Sequence, residues 1–403
     1  MFFGRSSAIM IYGSTNLLKI TGEIYSILNA ILVLEDGFHL LGEVFAGSGE
    51  VCGEVVCNTA MIGYQEIITD PTYHGQILSF TAPHLGNYGC HPDDNESETP
   101  QVKAVLSKSY CRRPRHIRSG QSLGAFLASH GVIGLEKIDT RSLMLHLRRN
   151  GPMKAIVSTL TTDAKRLMER LAHLPATAFF PGQKNIAAAG PYRWNNEQHS
   201  PDNEDIDHHH GKEYRCHVAV MDLGAKRSIL TALAERGCMI TVVPADTDVE
   251  TMRTLNPDGL LLSNGPGDPM SWKKITGNIG SLLGWRPLAG IGLGHQIMGL
   301  AIGIDTFRLP FGHRGLNHPV RELSTGRVLI TAQNHGYNLS SDSPLPEGTV
   351  MTHINLNDRT LEGIENRKYR FFSVQYHPRG YQKADDHESF YDKFVEMCTD
   401  AQA

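Results

Sequence analysis

From Ala30 onward, short apolar runs separated by polar breaks read as β-structure. Ile31-Leu32-Val33-Leu34 runs into Glu35-Asp36-Gly37, an Asp-Gly turn signal, and then into Phe38 to Val44, so a hairpin is predicted. Glu54 to Cys57 and Gln76 to Thr81 are further short runs, set apart by Gly, Pro, Asn and Asp. Ser122 to His130 and Thr140 to Arg149 are predicted helices, with Asp139 or Thr140 placed to cap the second. These segments predict one α+β domain over residues 30–174. Residues 175–215 break the pattern. Their core, Pro191 to Lys212, is rich in Asn, Glu, Asp and His and poor in aliphatic residues, and is expected to be a linker.

From His217 the rhythm is alternating strand and helix. His217 to Met221, Met239 to Val243, Gly259 to Leu262 and Leu288 to Ile291 are apolar runs, while Arg227 to Arg236 has helical spacing in Ile229, Leu230, Leu233 and Ala234. Such alternation predicts an α/β domain over residues 216–400, a mostly parallel sheet covered by helices on both faces. Ligands of such sheets bind at the carboxyl ends of the strands.

Composition narrows the class. The 403 residues suffice for two or three domains. Lys plus Arg is 38 and Asp plus Glu is 42, a net charge of −4, which argues against nucleic acid or a membrane surface as the main partner. The seven cysteines, at positions 52, 57, 90, 111, 216, 238 and 398, are scattered and form no disulfide framework. Cys52 and Cys57 have no second pair nearby, so no zinc or other metal is expected. A reducing cytoplasm is the expected compartment. His208-His209-His210 lack a carboxylate or cysteine at ligand spacing and read as solvated linker. Residues 1–29 contain no apolar run near the roughly 18–20 residues a membrane span needs. They are read as an extension or a misplaced start, with Met10 a second candidate start, rather than a targeting peptide.

Three loops fall on the predicted carboxyl edge. Ser263-Asn264-Gly265-Pro266-Gly267-Asp268-Pro269 follows one strand, and its glycines leave backbone N–H groups free to hold an anion. Gly290-Ile291-Gly292-Leu293-Gly294-His295-Gln296 follows the next and opens a helix, the frame a nucleophile elbow needs. Tyr376-His377-Pro378 follows Phe371 to Gln375 and places a candidate base on the same edge. Alone, each is an ordinary turn. Together, in order and on one edge, they point to a site.

On these residues Val218 to Val395 resembles a class I, triad-type glutamine amidotransferase domain. The chain from Ala30 to Val395 resembles the small subunit of carbamoyl phosphate synthetase. The N-terminal likeness rests on Leu34-Glu35-Asp36-Gly37, Gly53-Glu54-Val55-Val56, Asn58-Thr59, Gly63-Tyr64-Gln65-Glu66, Thr69-Asp70-Pro71 and Ile138-Asp139-Thr140-Arg141. The C-terminal likeness adds Gly224-Ala225-Lys226-Arg227, Phe311-Gly312-His313, Asn317-His318-Pro319 and Thr331 to Gly336. The resemblance implies hydrolysis of glutamine by a cysteine thiolate, with a histidine held by a carboxylate. It also implies delivery of ammonia to a large subunit that makes carbamoyl phosphate from bicarbonate and ATP, for arginine and pyrimidine biosynthesis. ATP and Mg are expected on that partner, and no cofactor on this chain. The family's glutamine-binding positions fall on Thr72, Lys226, Gly265, Gly267, Leu293, Gln296, Asn334, Gly336 and Tyr337.

The chain departs from the family at two of three catalytic places. Gly292 stands where the family has cysteine, Arg379 stands where it has the carboxylate, and only His377 is kept. Losing the nucleophile from a comparable triad costs on the order of a millionfold in turnover. Two readings stay open: a synthetase subunit whose own glutaminase step is lost, and a non-catalytic scaffold or decayed paralogue that binds glutamine or the large subunit.

Overall fold

The computed structural model describes residues 16–20, 23–27, 29–175, 186–195, 200–202, 213–342, 344–378 and 389–400. Arg379 and His208 to His210 lie outside the described residues. Asn16–Ile20 and Glu23–Ile27 pair antiparallel as a two-stranded sheet.

The N-terminal domain is a closed barrel. Its strands, in order around it, are Ile133–Glu136, His39–Ala46, Asn29–Leu34, Met153–Ser158, Glu50–Asn58, Ile77–Phe80 and Ala104–Leu106. The predicted hairpin is present, with Leu32 opposite Leu40 and Gly37 at φ +89° in the turn. Alternation sorts the first strand. Leu32 and Leu34 join a buried cluster to which every barrel strand contributes, while Ile31 and Val33 pack against Leu167 and Leu171 of the helix Ala164–His173. The helix Thr140–Asn150 starts on Asp139, whose carboxylate accepts from the Ser142 N–H at 3.0 Å.

The C-terminal domain is built on an 11-stranded sheet. At its centre Cys238–Pro244, Cys216–Asp222, Gly259–Leu262, Leu288–Ile291 and Phe371–Val374 run parallel. Both faces are covered, so these strands are mostly apolar: Val218 and Val220 belong to one core, Ala219 and Met221 to the other. Antiparallel strands extend the sheet, ending in the long ribbon Thr306–Glu322 with Val328–Leu339.

The expected linker needs correction at two places. Tyr192–Asn195 pairs antiparallel with Cys238–Pro244 as an added strand, and Ser200–Asp202 pairs onto it. Trp194 is buried there, so an aromatic side chain anchors a segment whose composition otherwise reads as solvated.

The two domains meet through buried polar groups. Glu96, from the N-terminal domain, accepts from the N–H groups of Arg227 and Ser228 at the start of the helix Arg227–Ala234. It also pairs with Lys226 Nζ at 3.2 Å. Among the described residues no helix is long and apolar enough to cross a membrane.

Candidate active site

The turn after Leu288–Ile291 decides what the site can do. Gly292 sits at φ +58°, ψ −110°, immediately before the helix Leu293–Ala301. Its N–H donates to the Val374 carbonyl at 2.9 Å, and its carbonyl accepts from the Gln296 N–H at 3.2 Å, so the turn is fixed on both sides. The flanking glycines are sterically required. A Cβ on Gly294 would meet the Leu262 carbonyl oxygen at 2.3 Å, and one on Gly290 would meet Met298 Sδ at 2.5 Å. Gly292 differs: the nearest atom to a Cβ there is Asn264 Cβ at 3.6 Å, an ordinary contact. The elbow keeps room for a side chain at its centre and carries none.

The loop facing it follows Gly259–Leu262. Ser263 Oγ accepts from the Leu223 N–H and donates to the Asn264 carbonyl, and Asn264 Oδ1 accepts from the Lys226 N–H. A side chain on Gly265 would collide with the Leu223 carbonyl at 2.1 Å, so this loop passes as bare backbone. Leu293, in the first turn of its helix, has an N–H with no partner inside the helix. That group and the glycine-loop amides are the donors available to an anion.

His377 is buried, its backbone N–H bonded to the Ala332 carbonyl at 3.0 Å. Burial, reinforced by the nearby Lys226 ammonium, pushes its imidazole down to about 3, so it is neutral at pH 7. Nε2 lies 3.9 Å from Asp70 Oδ2, while Nδ1 has no hydrogen-bond partner among the described residues. An imidazole held so far below its ordinary value takes up a proton poorly, so it is a poor base.

Asp70 organises this side of the site. Its Oδ1 accepts from the Thr72 N–H and hydroxyl, and Thr72 Oγ1 in turn accepts from Asn334 Nδ2 at 2.6 Å, joining the two domains. Its Oδ2 faces Lys226 Nζ at 3.6 Å. Burial alone would lower the Lys226 ammonium, but Glu96 and Asp70 outweigh it and hold it above its ordinary value.

A cavity of about 520 Å³ lies between the domains. Gly292, His377, Thr72, Gly265, Gly267, Leu293, Gln296, Asn334, Gly336 and Tyr337 all line it. Lys226 does not: it is buried in its ion pairs with Asp70 and Glu96. Gln296 is held by bonds from Nε2 to the Tyr337 carbonyl and to Gln375 Oε1.

Comparison with known proteins settles the family. The sequence profile of the carbamoyl-phosphate synthase small chain, CPSase domain, matches residues 32–157, and that of glutamine amidotransferase class I matches residues 219–397. The carbamoyl phosphate synthase small chain of Syntrophotalea carbinolica is 42% identical over 92% of this chain and 98% of its own length. Those of Listeria innocua and a Synechococcus strain are also 42% identical, covering 91% and 93% of this chain and 96% and 94% of theirs. The chain belongs to the carbamoyl phosphate synthase small-chain family. Its barrel is the small-chain domain and its sheet domain the class I amidotransferase domain.

Within that family frame, some lining residues escape sequence reasoning. Glu54 and Gln76 fall in segments read only as a strand or motif fragment, and His74, Arg308 and Arg314 in stretches that the sequence reading did not single out. Glu54 and Arg308 form an ion pair across the domain boundary. His313, His335 and Glu362 lie close enough to share a cation, yet every ring nitrogen of the two histidines is already hydrogen-bonded. Gln333 bridges them: its Oε1 lies 3.1 Å from His313 Nδ1 and 2.9 Å from His335 Nε2, and its Nε2 donates to Glu362. That cluster is a buried polar network packed beside the cavity. Only the pairing of motif residues in space could have revealed it.

Proposed function

We propose that this chain serves as a carbamoyl phosphate synthase small subunit whose own glutaminase step is inactive. The single observation carrying this is Gly292, an elbow shaped for a side chain and holding no nucleophilic atom. The pocket around it is retained, so L-glutamine binds without being cleaved. Acyl transfer requires a nucleophile, and the elbow offers only hydrogen. His377 does not replace it: among the described residues its Nδ1 has no partner of the kind the family mechanism uses to orient the imidazole. Arg379 stands in sequence where the family has the carboxylate, so that position supplies no acidic side chain.

In this reading the partner is the large subunit, which holds ATP and Mg, and this chain carries no cofactor. Carbamoyl phosphate, for arginine and pyrimidine biosynthesis in the cytoplasm, then draws on free ammonia. Retention of the whole barrel domain supports assembly over a decayed scaffold.

The test is co-expression with a carbamoyl phosphate synthase large chain, followed by synthesis assays with glutamine and with ammonium separately. Synthesis on ammonium alone, with no glutamate formed from glutamine, is expected. Glutamine-driven synthesis at ordinary enzyme rates would refute the inactive step. Failure to co-purify would favour the scaffold.

A further inference from the structure

The elbow lies at the carboxyl edge of the parallel strands. Their amino edge carries three thiols that the elbow chemistry does not use. Cys216 and Cys238 open neighbouring parallel strands and stand directly opposite each other in register. Their sulfurs are 3.6 Å apart. Cys398, near the end of the helix Ser389–Thr399, completes the group, and all three are buried free thiols. Gly259 makes room for the third sulfur, since a Cβ there would come within 2.2 Å of Cys398 Sγ. Neighbouring strands lie about 4.7–4.9 Å apart, inside the Cα separation a disulfide spans, so Cys216 and Cys238 can join after a small approach of the two sulfurs.

The surroundings add reactivity to contact. Hydrogen bonds with Cys238 first and Cys398 second push the Cys216 thiol down, against the effect of burial. Cys238 and Cys398 are pushed up, first by their hydrogen bonds with Cys216. Three sulfurs thus share one thiolate, the form that reacts. By contrast, burial pushes Cys57 and Cys90 up to about 12. The group also sits close to the surface. Exposed Arg215 precedes Cys216, and its N–H donates to the carbonyl of Gly237, which precedes Cys238, at 2.9 Å. A Cβ on Gly237 would lie 3.4 Å from Arg215 Cγ, so the arginine side chain runs beside the start of the second strand, where its charge favours the thiolate.

We propose that Cys216 and Cys238 are a modification site, a dithiol that a hydroperoxide converts to a disulfide, with Cys216 as the attacking sulfur. The Cys216 sulfur attacks the terminal peroxide oxygen and the O–O bond breaks. Cys216 becomes a sulfenic acid, and the other oxygen leaves as an alcohol, or as water from hydrogen peroxide, taking the thiol proton. The Cys238 sulfur then displaces the sulfenic hydroxyl, forming the S–S bond and releasing a water that carries the second thiol proton. Two electrons pass from the two sulfurs to the peroxide. Exchange with an external thiol returns the reduced pair. Neither Gly292 nor the cavity takes part, so the site stands whatever the cavity binds.

The test is treatment of the reduced full chain with hydrogen peroxide, followed by catalase, blocking of the remaining thiols with N-ethylmaleimide in denaturant, and peptide mass mapping without reductant. Two of the seven thiols should be lost, in a peptide pair joined through Cys216 and Cys238, and dithiothreitol should restore both. That measurement needs no variant to fold. In Cys238→Ser, dimedone should trap Cys216 as the sulfenic acid. In Cys398→Ser the Cys216–Cys238 bond should still form. Survival of all seven thiols at a peroxide dose that fully oxidises free glutathione overturns the proposal. Earlier loss of Cys52, Cys57, Cys90 or Cys111 overturns it equally. A disulfide between Cys238 and Cys398 that forms at an undiminished rate in Cys216→Ser overturns the assignment of Cys216 as the attacking sulfur.

Discussion

At the scale of single residues, the three elbow glycines separate fold from chemistry. Gly290 and Gly294 are demanded by contact with neighbouring atoms, whereas Gly292 is only permitted by its positive φ. Gly294→Ala should therefore cost roughly 3 kcal/mol or more, because the new methyl meets backbone that cannot move aside. Gly292→Ala should cost only about 1–2 kcal/mol, backbone strain partly offset by a less flexible unfolded chain. Urea unfolding of the two variants checks the order, and a reversed order would contradict the steric account. Gly292→Cys places a thiol in that same space, with His377 still poorly oriented. It should restore little glutamine hydrolysis, and Gly292→Cys with Arg379→Glu should restore more. Full activity from the single change would show that His377 needs no carboxylate.

At the scale of elements, Glu96 makes several of the links between domains. One carboxylate meets Lys226 and the N–H of Ser228, and the backbone carbonyl of the same residue meets the N–H of Arg227. Removing it leaves a buried lysine with one partner fewer and exposes the start of the helix Arg227–Ala234. Glu96→Ala should lower stability by about 3–5 kcal/mol, the range for breaking a buried ion pair. It should also separate the unfolding of the two domains in a calorimetric scan. A single unshifted transition would mean that other contacts hold the interface. These elements differ in how far the sequence discloses them. Gly259–Leu262 and Leu288–Ile291 match their expected bounds because strands buried on both faces are uniformly apolar. Closure of the N-terminal strands into a barrel was not readable, since strand order depends on pairing between distant segments. Tyr192–Asn195 escaped because two aromatic residues outweigh a polar neighbourhood only once the sheet edge is there to receive them. The elbow and the glycine loop were legible because backbone geometry restricts their residue types. The cavity's N-terminal wall was not, because Glu54, His74 and Gln76 carry no local pattern that sets them apart from other barrel residues.

At the scale of the whole molecule, burial of histidines sets the response to acid. His377 and His295 are pushed down to about 3, and His318 and His353 to about 4, in each case first by burial. Their folded values lie below the unfolded value near 6.5, so the unfolded chain binds more protons as pH falls from there toward 4. Each group then removes up to about 1.4 kcal/mol of stability per pH unit. Glu66, pushed up to about 7 by burial, and His313, raised by Glu362 and Asp358 against the effect of burial, act in the opposite sense. His335 and His217 are lowered by burial as well, so the lowered histidines outnumber the two opposing groups and leave a net loss. The urea midpoint should fall between pH 7 and pH 5, with net proton uptake on unfolding at pH 5. A midpoint that rises on acidification would contradict the neutral state assigned to these histidines.

The central claim is that the molecule retains a glutamine pocket and lacks the atom that would attack the amide. Incubation with a diazoketone analogue of glutamine, which alkylates an elbow nucleophile, followed by intact mass measurement addresses this most directly. An unchanged mass at saturating reagent is the predicted result, and a stoichiometric adduct on any residue lining the cavity would contradict it.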